Sequence, residues 1–140
     1  MDPSSTATTV AVDPRHVSYT HIIYALHALA ILIAILNATV IARAFVFGVP
    51  SLIAVVMNYS RRNLVEGTWL ASHFRWQIAT FWIALLAFLC VSLVFRPLAW
   101  IGIGQPFLWL GYGMIGLWAT YRTARGWLAL HEGRTMPAGL

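Results

Sequence analysis

The chain has 140 residues, of which 60% are hydrophobic and only 9% are charged, whereas soluble globular domains carry about 25% charged residues. A soluble domain of this length cannot bury so much apolar surface, so the composition excludes an ordinary soluble fold and favours an integral membrane protein. The net charge is +5. Because the chain offers no basic stripe on a soluble fold, we expect no nucleic-acid partner.

The N-terminal segment, residues 1–16, is polar and rich in Ser, Thr and Pro. We expect it to be flexible. It lacks the basic start of a secretory signal peptide, and the apolar run that follows continues through the small residues of "ALHALA". These features favour an uncleaved first membrane helix.

The first apolar stretch, Val17 to Phe47, is long enough to cross a membrane, which takes about 20 residues. Gly48 and Pro50 predict its end, because glycine suits a helix C-terminus and proline suits the first turn of the next helix. The second stretch then runs from Pro50 to about Tyr59 and is short for a full crossing.

An earlier break, at Asn37, is the alternative for this first hairpin. It would lengthen the second helix. It would also leave Arg43 inside the membrane, which is a costly position for a charge.

The third apolar stretch runs from about Trp69 to Phe95, and Pro97 predicts its end. The fourth begins near Pro106 and runs to about Tyr121, followed by an interfacial segment. The sequence therefore predicts an all-α, polytopic membrane bundle of about four transmembrane helices over residues 17–127, with a short tail at 128–140.

The arginines predict the orientation of this bundle. Four crossings place both termini on one side, together with the connection at residues 60–75. Seven of the nine basic residues then lie on that side: Arg15, Arg61, Arg62, Arg75, Arg122, Arg125 and Arg134. Arg43 and Arg96 lie on the other. The bias predicts that both termini are cytoplasmic.

Anionic phospholipid headgroups are the expected partners of Arg61, Arg62, Arg122 and Arg125.

The segment "EGTWLASHFRWQIATFW", residues 66–82, combines polar and aromatic residues where a helix enters the membrane. We name it the anchoring segment. Trp69, His73 and Trp76 share one helical face and are expected to pack, while Arg75 and Gln77 bond headgroups or neighbouring loops. Glu66 is expected to pair with a cytoplasmic arginine. The alternative is an acid–base group of Glu66, His73 and Arg75, although the loop supplies no nucleophile, metal or second carboxylate.

His27 is the most informative ionisable residue of the first helix, because it lies about 15 Å beyond a helix start near Val17. An ionisable group at that depth is a functional hypothesis, here a proton or ion pathway. The alternative is a neutral histidine that packs and bonds a carbonyl or hydroxyl. No two of the five histidines are four residues apart, and no cysteine or carboxylate joins them at ligand spacing, so we expect no metal and no cofactor. We expect no catalytic residue, because the sequence shows no catalytic pair.

Gly116, Thr120 and Ala124 recur every four residues in the fourth helix. Such a small-residue stripe lets helices approach closely. We expect it to serve packing within the bundle, with a docking face for another subunit as the alternative.

Several stretches are similar to a known group of proteins: "YALHALAIL", "GVPSLIAVVMNYSRR", the anchoring segment and the terminal "YRTARGWLALHEGRTMP". The chain resembles, over about Tyr19 to Pro137, the small bacterial inner-membrane proteins that form a Tic-like family of unknown function. That family is grouped with the twenty-kilodalton subunit of the chloroplast inner-envelope protein translocon. The resemblance implies a helical bundle in the bacterial inner membrane and no established activity. The terminal stretch contains the arginine–Gly–Trp pattern of the resemblance, Arg122, Arg125, Gly126 and Trp127, and we include Trp127 among the interaction or anchoring residues.

Packing faces and interfacial anchors dominate the informative positions. We therefore expect a non-enzymatic inner-membrane protein with a scaffolding, assembly or accessory-subunit role, bound to a membrane-protein partner or to copies of itself. The alternative is a component of a small transporter, channel or protein-translocation apparatus.

Overall fold

The computed structural model describes residues 12–36 and 44–137. These residues form four α-helices and no strand: α1 (Pro14–Leu36), α2 (Ala44–Arg61), α3 (Leu70–Ala99) and α4 (Gly104–His131). A 3-10 turn, Arg62–Val65, joins α2 to the connection before α3. The predicted all-helical class is confirmed.

The helices alternate in direction. The Tyr19 hydroxyl donates to the Met57 carbonyl and His27 Nδ1 meets Ser51 Oγ, so α1 and α2 are antiparallel. Likewise α3 and α4 run in opposite directions, since Trp76 bonds the carbonyl of Arg122 near one end and Ser92 bonds Tyr112 further along. One end of the bundle therefore holds the start of α1, the α2–α3 connection and the end of α4. We call it the terminal end.

Two helix boundaries differ from the predictions at glycine or proline. Gly48 and Pro50 lie inside α2, so the expected break there is wrong. An interior proline removes one backbone hydrogen bond, and membrane helices commonly tolerate this loss. Asn37 and Arg43, which carried the alternative, lie outside the described residues. Pro97 does not end α3, which continues to Ala99. Because Pro97 has no N–H, the helix loses one hydrogen bond, and this loss falls in its last turn.

The fourth helix is longer than predicted. It continues beyond Tyr121 to His131, so the expected interfacial segment and the first residues of the expected tail are helical. Gly133 then ends it in the left-handed region, with φ of 66°. The Arg134 N–H bonds the Ala129 carbonyl and the Gly133 N–H bonds the Leu130 carbonyl, which is the Schellman pattern.

Burial is uneven along the bundle. The main apolar cluster lies at the terminal end, and it consists of Ile23, Tyr24, Ala54, Val65, Leu70, Phe74 and Leu130. Towards the other end, large apolar side chains of α3 and α4 face outward; Leu93 is 80% exposed and Leu117 is 74% exposed. A large exposed apolar surface of this kind suits a lipid environment.

Two helical stretches, Pro14–Ala34 and Leu70–Ala99, are long and apolar enough to cross a membrane. Little of the α3 stretch is buried within the protein. This differs from the core helix of a soluble domain, whose apolar face is covered by its neighbours.

Candidate functional site

The terminal end contains a buried polar centre built around His73. His73 is fully buried, and its Nε2 lies 2.8 Å from the Arg134 carbonyl oxygen. A carbonyl only accepts, so Nε2 carries the proton and the neutral ring accepts at Nδ1. Tyr24, on α1, donates its hydroxyl to that Nδ1 across 3.0 Å. His73 therefore joins α1, α3 and the chain after α4.

The chain after α4 reaches His73 because Gly133 reverses its direction. The Met136 N–H donates a 2.9 Å hydrogen bond to Ser72 Oγ, and the Met136 side chain is buried against Trp76 and Ala129. The residues from Arg134 to Met136 thus lie against the first turn of α3. We call them the C-terminal strap.

A second buried group centres on Arg122, one turn before Gly126 in α4. Its guanidinium carbon lies 3.6 Å from the centroid of the Trp76 ring, and its Nε donates a 2.9 Å bond to Thr80 Oγ1. Trp76 Nε1 donates back to the Arg122 carbonyl across 3.1 Å, and the Thr80 hydroxyl donates to the Trp76 carbonyl. These bonds form a closed cycle between α3 and α4.

The charge of Arg122 is buried without an ion pair. The carboxylates of the described residues, Asp13, Glu66 and Glu132, are all exposed, and the one described ion pair joins Glu132 to Arg134. Aromatic ring faces instead stabilise the guanidinium, with Trp118 also 5.2 Å away.

Four buried side chains in the described core keep polar atoms without a hydrogen-bond partner. These are Nε2 of His27, both amide atoms of Asn58 and of Gln77, and Nη2 of Arg122. Gln77 lies on α3 one turn after His73 and three residues before Thr80, so it faces the same interior. An unpaired buried polar atom costs about 1–3 kcal/mol.

Helix α4 carries small residues on two different faces. Gly126 lies against Tyr24, where an added Cβ would come within 2.8 Å of Tyr24 Cε1, and Gly111 lies equally close to Val91. Gly116, by contrast, has no atom within 4 Å of an added Cβ, and Thr120 and Ala124 are exposed. The prediction that the Gly116–Thr120–Ala124 stripe packs inside the bundle is therefore wrong, because this face points outward.

The structure separates the residues of the anchoring segment. Trp69 and His73 are in edge contact, with ring centroids 5.5 Å apart, and Trp76 is buried beside them. Gln77 is only 2% exposed, so it does not bond headgroups or loops as expected. Glu66 and Arg75 are exposed, and no ion pair of either is present in the described residues. The alternative acid–base group of Glu66, His73 and Arg75 is not brought together.

The four arginines expected at lipid headgroups also differ in placement. Arg61, Arg62 and Arg125 are exposed at the terminal end, with Arg61 over the Tyr19 ring at 4.3 Å. Arg122 is only 5% exposed and bonds inside the bundle, which does not fit a headgroup contact.

Trp127 is half-buried and donates a hydrogen bond to His21 Nδ1 across 2.9 Å, so it joins α4 to α1.

Sequence reasoning missed Tyr24, Asn58 and the C-terminal strap, whereas helical spacing had placed Thr80 on the face of Trp69, His73 and Trp76. One signal was available: Thr20, Tyr24 and His27 recur at helical spacing in the apolar α1, which places three polar groups on one face. The position of the C-terminal strap had no such signal, because it depends on how far α4 extends.

No group of three or more His, Cys, Asp or Glu side chains lies together as a metal site in the parts of the chain that the structure describes. Hydrogen bonds of His73 and Arg122 join α3 to α1, to α4 and to the chain that follows α4. No protein-family model, curated protein or solved structure matches the chain.

Proposed function

We propose that this protein is a polytopic protein of the bacterial cytoplasmic membrane that acts as an accessory or scaffolding subunit of a larger membrane complex. In this proposal the four helices cross the bilayer with both termini on the cytoplasmic side. The proposal includes the resemblance to the Tic-like family. That resemblance implies a helical membrane bundle and implies no activity.

The membrane orientation is supported by the charges at the two ends of the bundle. The terminal end carries Arg15, Arg61, Arg62, Arg75, Arg122, Arg125 and Arg134, and the other end carries Arg96 among the described residues. Basic residues concentrate on the cytoplasmic side of membrane proteins. Helices α1, α3 and α4 have 23, 30 and 28 residues, more than the roughly 20 that a crossing needs, and α2, with 18, lies within the usual range of about 17–25.

The observation that carries the accessory role is the outward stripe of Gly116, Thr120 and Ala124. The bundle uses other glycines of α4, Gly111 and Gly126, for its own close contacts. In lipid, a small-residue face lets a second helix approach closely enough for backbone contacts and van der Waals packing. A transmembrane helix of a partner protein is therefore the proposed occupant of this stripe.

The test asks whether the protein is extracted from its own membrane as part of a complex. Membranes are solubilised in mild detergent, and the mass of the native complex is measured for wild type, Gly116→Leu and the control Val94→Phe. Gly116→Leu fills the stripe, whereas Val94→Phe adds bulk on an exposed position of α3. We expect a stoichiometric complex in wild type and control, and a free subunit with unchanged thermal unfolding in Gly116→Leu. A complex that survives Gly116→Leu contradicts the proposed docking face.

A second candidate function, a component of a transporter or channel, is favoured by the unpaired atoms of His27, Asn58, Gln77 and Arg122. Intramembrane polar groups of this kind commonly line ion or proton paths, where water in another conformation satisfies them. Proton flux into liposomes that contain the purified protein tests it. Gln77→Leu is expected to abolish the flux if this candidate is correct, and absence of flux in wild type excludes a proton path.

A further inference from the structure

An open groove of about 670 Å³ lies along the last turns of α3, at the end of the bundle opposite the terminal end. It is lined by Leu89, Ser92, Leu93, Arg96, Pro97 and Trp100. Every lining residue belongs to α3 or directly follows it. The groove is therefore a feature of the outer surface of the bundle.

Arg96 places an uncompensated positive charge in this groove. It is exposed, and within the described residues it has no hydrogen bond or ion pair with a side chain. The described carboxylates, Asp13, Glu66 and Glu132, all belong to the terminal end. Arg96 is therefore available to pair with an anion from outside the described chain.

Below Arg96 the lining is apolar except for Ser92, whose hydroxyl already bonds the Phe88 carbonyl and Tyr112. Leu93 and Leu89 lie one and two helical turns from Arg96, are 80% and 54% exposed, and extend the groove about 10 Å along the axis. Trp100 is 90% exposed at the same end as Arg96, the position that tryptophan takes at headgroup depth.

We propose that this groove is a binding site for one anionic phospholipid. The phosphate pairs with Arg96, the headgroup lies beside Trp100, and an acyl chain covers Leu93 and Leu89. A free phosphate ion fits less well, because it would leave both leucines uncovered and would find one cation only. The proposal rests on the membrane insertion proposed above, and it places the lipid in the leaflet opposite the cytoplasmic one.

The test is lipid binding by the purified, delipidated full chain, measured by native mass spectrometry. The probes are phosphatidylglycerol, phosphatidylcholine of the same chain length, and inorganic phosphate. Wild type is expected to bind phosphatidylglycerol saturably and in preference to phosphatidylcholine. Removing the charge in Arg96→Gln is expected to weaken this binding about fivefold, the effect of one arginine at an anionic surface.

Three further variants distinguish lipid binding at this groove from a general effect of positive charge and from loss of folding. Arg96→Lys keeps the charge and is expected to retain most of the binding. Leu93→Asn alters an exposed position and is expected to weaken binding without lowering thermal stability. Arg15→Gln removes an exposed arginine at the terminal end, which was not assigned to headgroups, and is expected to leave binding at this groove unchanged.

Equal phosphatidylglycerol binding by wild type and Arg96→Gln would overturn the site, as would equal binding of the two lipids or full competition by inorganic phosphate. These results leave membrane insertion intact. Extraction of wild type from membranes by alkaline carbonate would instead overturn the insertion itself, and the lipid site with it.

Discussion

The Tyr24 hydroxyl donates its hydrogen bond to Nδ1 of His73, and the opposite ring nitrogen of His73 donates to the Arg134 carbonyl. One buried imidazole thereby joins the first helix, the third helix and the chain that follows the fourth. Its two nitrogens are both used, so loss of either partner leaves a polar atom unpaired inside the protein. The predictions below test this arrangement and its neighbours.

Tyr24→Phe is expected to lower the free energy of unfolding by about 1–3 kcal/mol, because His73 Nδ1 then has no donor in a buried site. Thermal unfolding in detergent measures the loss. Tyr121→Phe serves as the control, since the Tyr121 ring is 58% exposed. Equal stability of Tyr24→Phe and wild type would contradict the importance of the bond.

Gly126→Ala is expected to destabilise the bundle by about 1–3 kcal/mol, because the added methyl group overlaps the Tyr24 ring. Gly113→Ala is the matched change on the same helix, where nothing lies within 4 Å of the added carbon. It is expected to be neutral or stabilising by up to about 1 kcal/mol from helix propensity. Chemical denaturation of both variants makes the comparison, and similar losses would refute it.

Arg122→Gln is expected to cost about 2 kcal/mol, because it removes the stacking on Trp76 and the bond to Thr80. Arg125→Gln removes the same charge one turn away from an exposed position and is expected to change stability by less than about 0.5 kcal/mol. Tryptophan fluorescence during unfolding reports both. If the two variants lose equally, Arg122 acts only through net charge.

Truncation after Gly133 removes the C-terminal strap and is expected to lower the unfolding temperature, since His73 Nε2 and Ser72 Oγ both lose a backbone partner. Amide hydrogen exchange is expected to quicken in the first turns of α3. Truncation after Pro137 keeps both bonds and is the control. Equal exchange in the two truncated chains would show that the strap does not stabilise α3.

Topology reporters fused after Leu140 and after Pro97 are expected to lie on opposite sides of the membrane. The reason is the concentration of arginines at the terminal end, which predicts a cytoplasmic location for that end. Signals from the same side would contradict the four-crossing arrangement while leaving the helical fold unchanged.

The sequence by itself determined the class of the protein. Its apolar composition and long hydrophobic stretches predicted helices, and helical periodicity placed Trp69, His73 and Trp76 on one face before any contact was known. Helix ends predicted from single residues were wrong at Pro50, Pro97 and Tyr121. The position of a helix end depends on packing against neighbouring helices as well as on the residue at that position.

Only the tertiary structure decided which polar and small residues face inward. Arg122 and Arg125 are three residues apart and chemically identical, yet one is buried on Trp76 and the other is exposed. Gly116 and Gly126 differ in the same way. When apolar residues surround a helix on nearly all sides, its sequence carries little information about which face meets its neighbours. That choice is made by contacts between helices, such as the approach of Tyr24 to Gly126, which are distant in sequence.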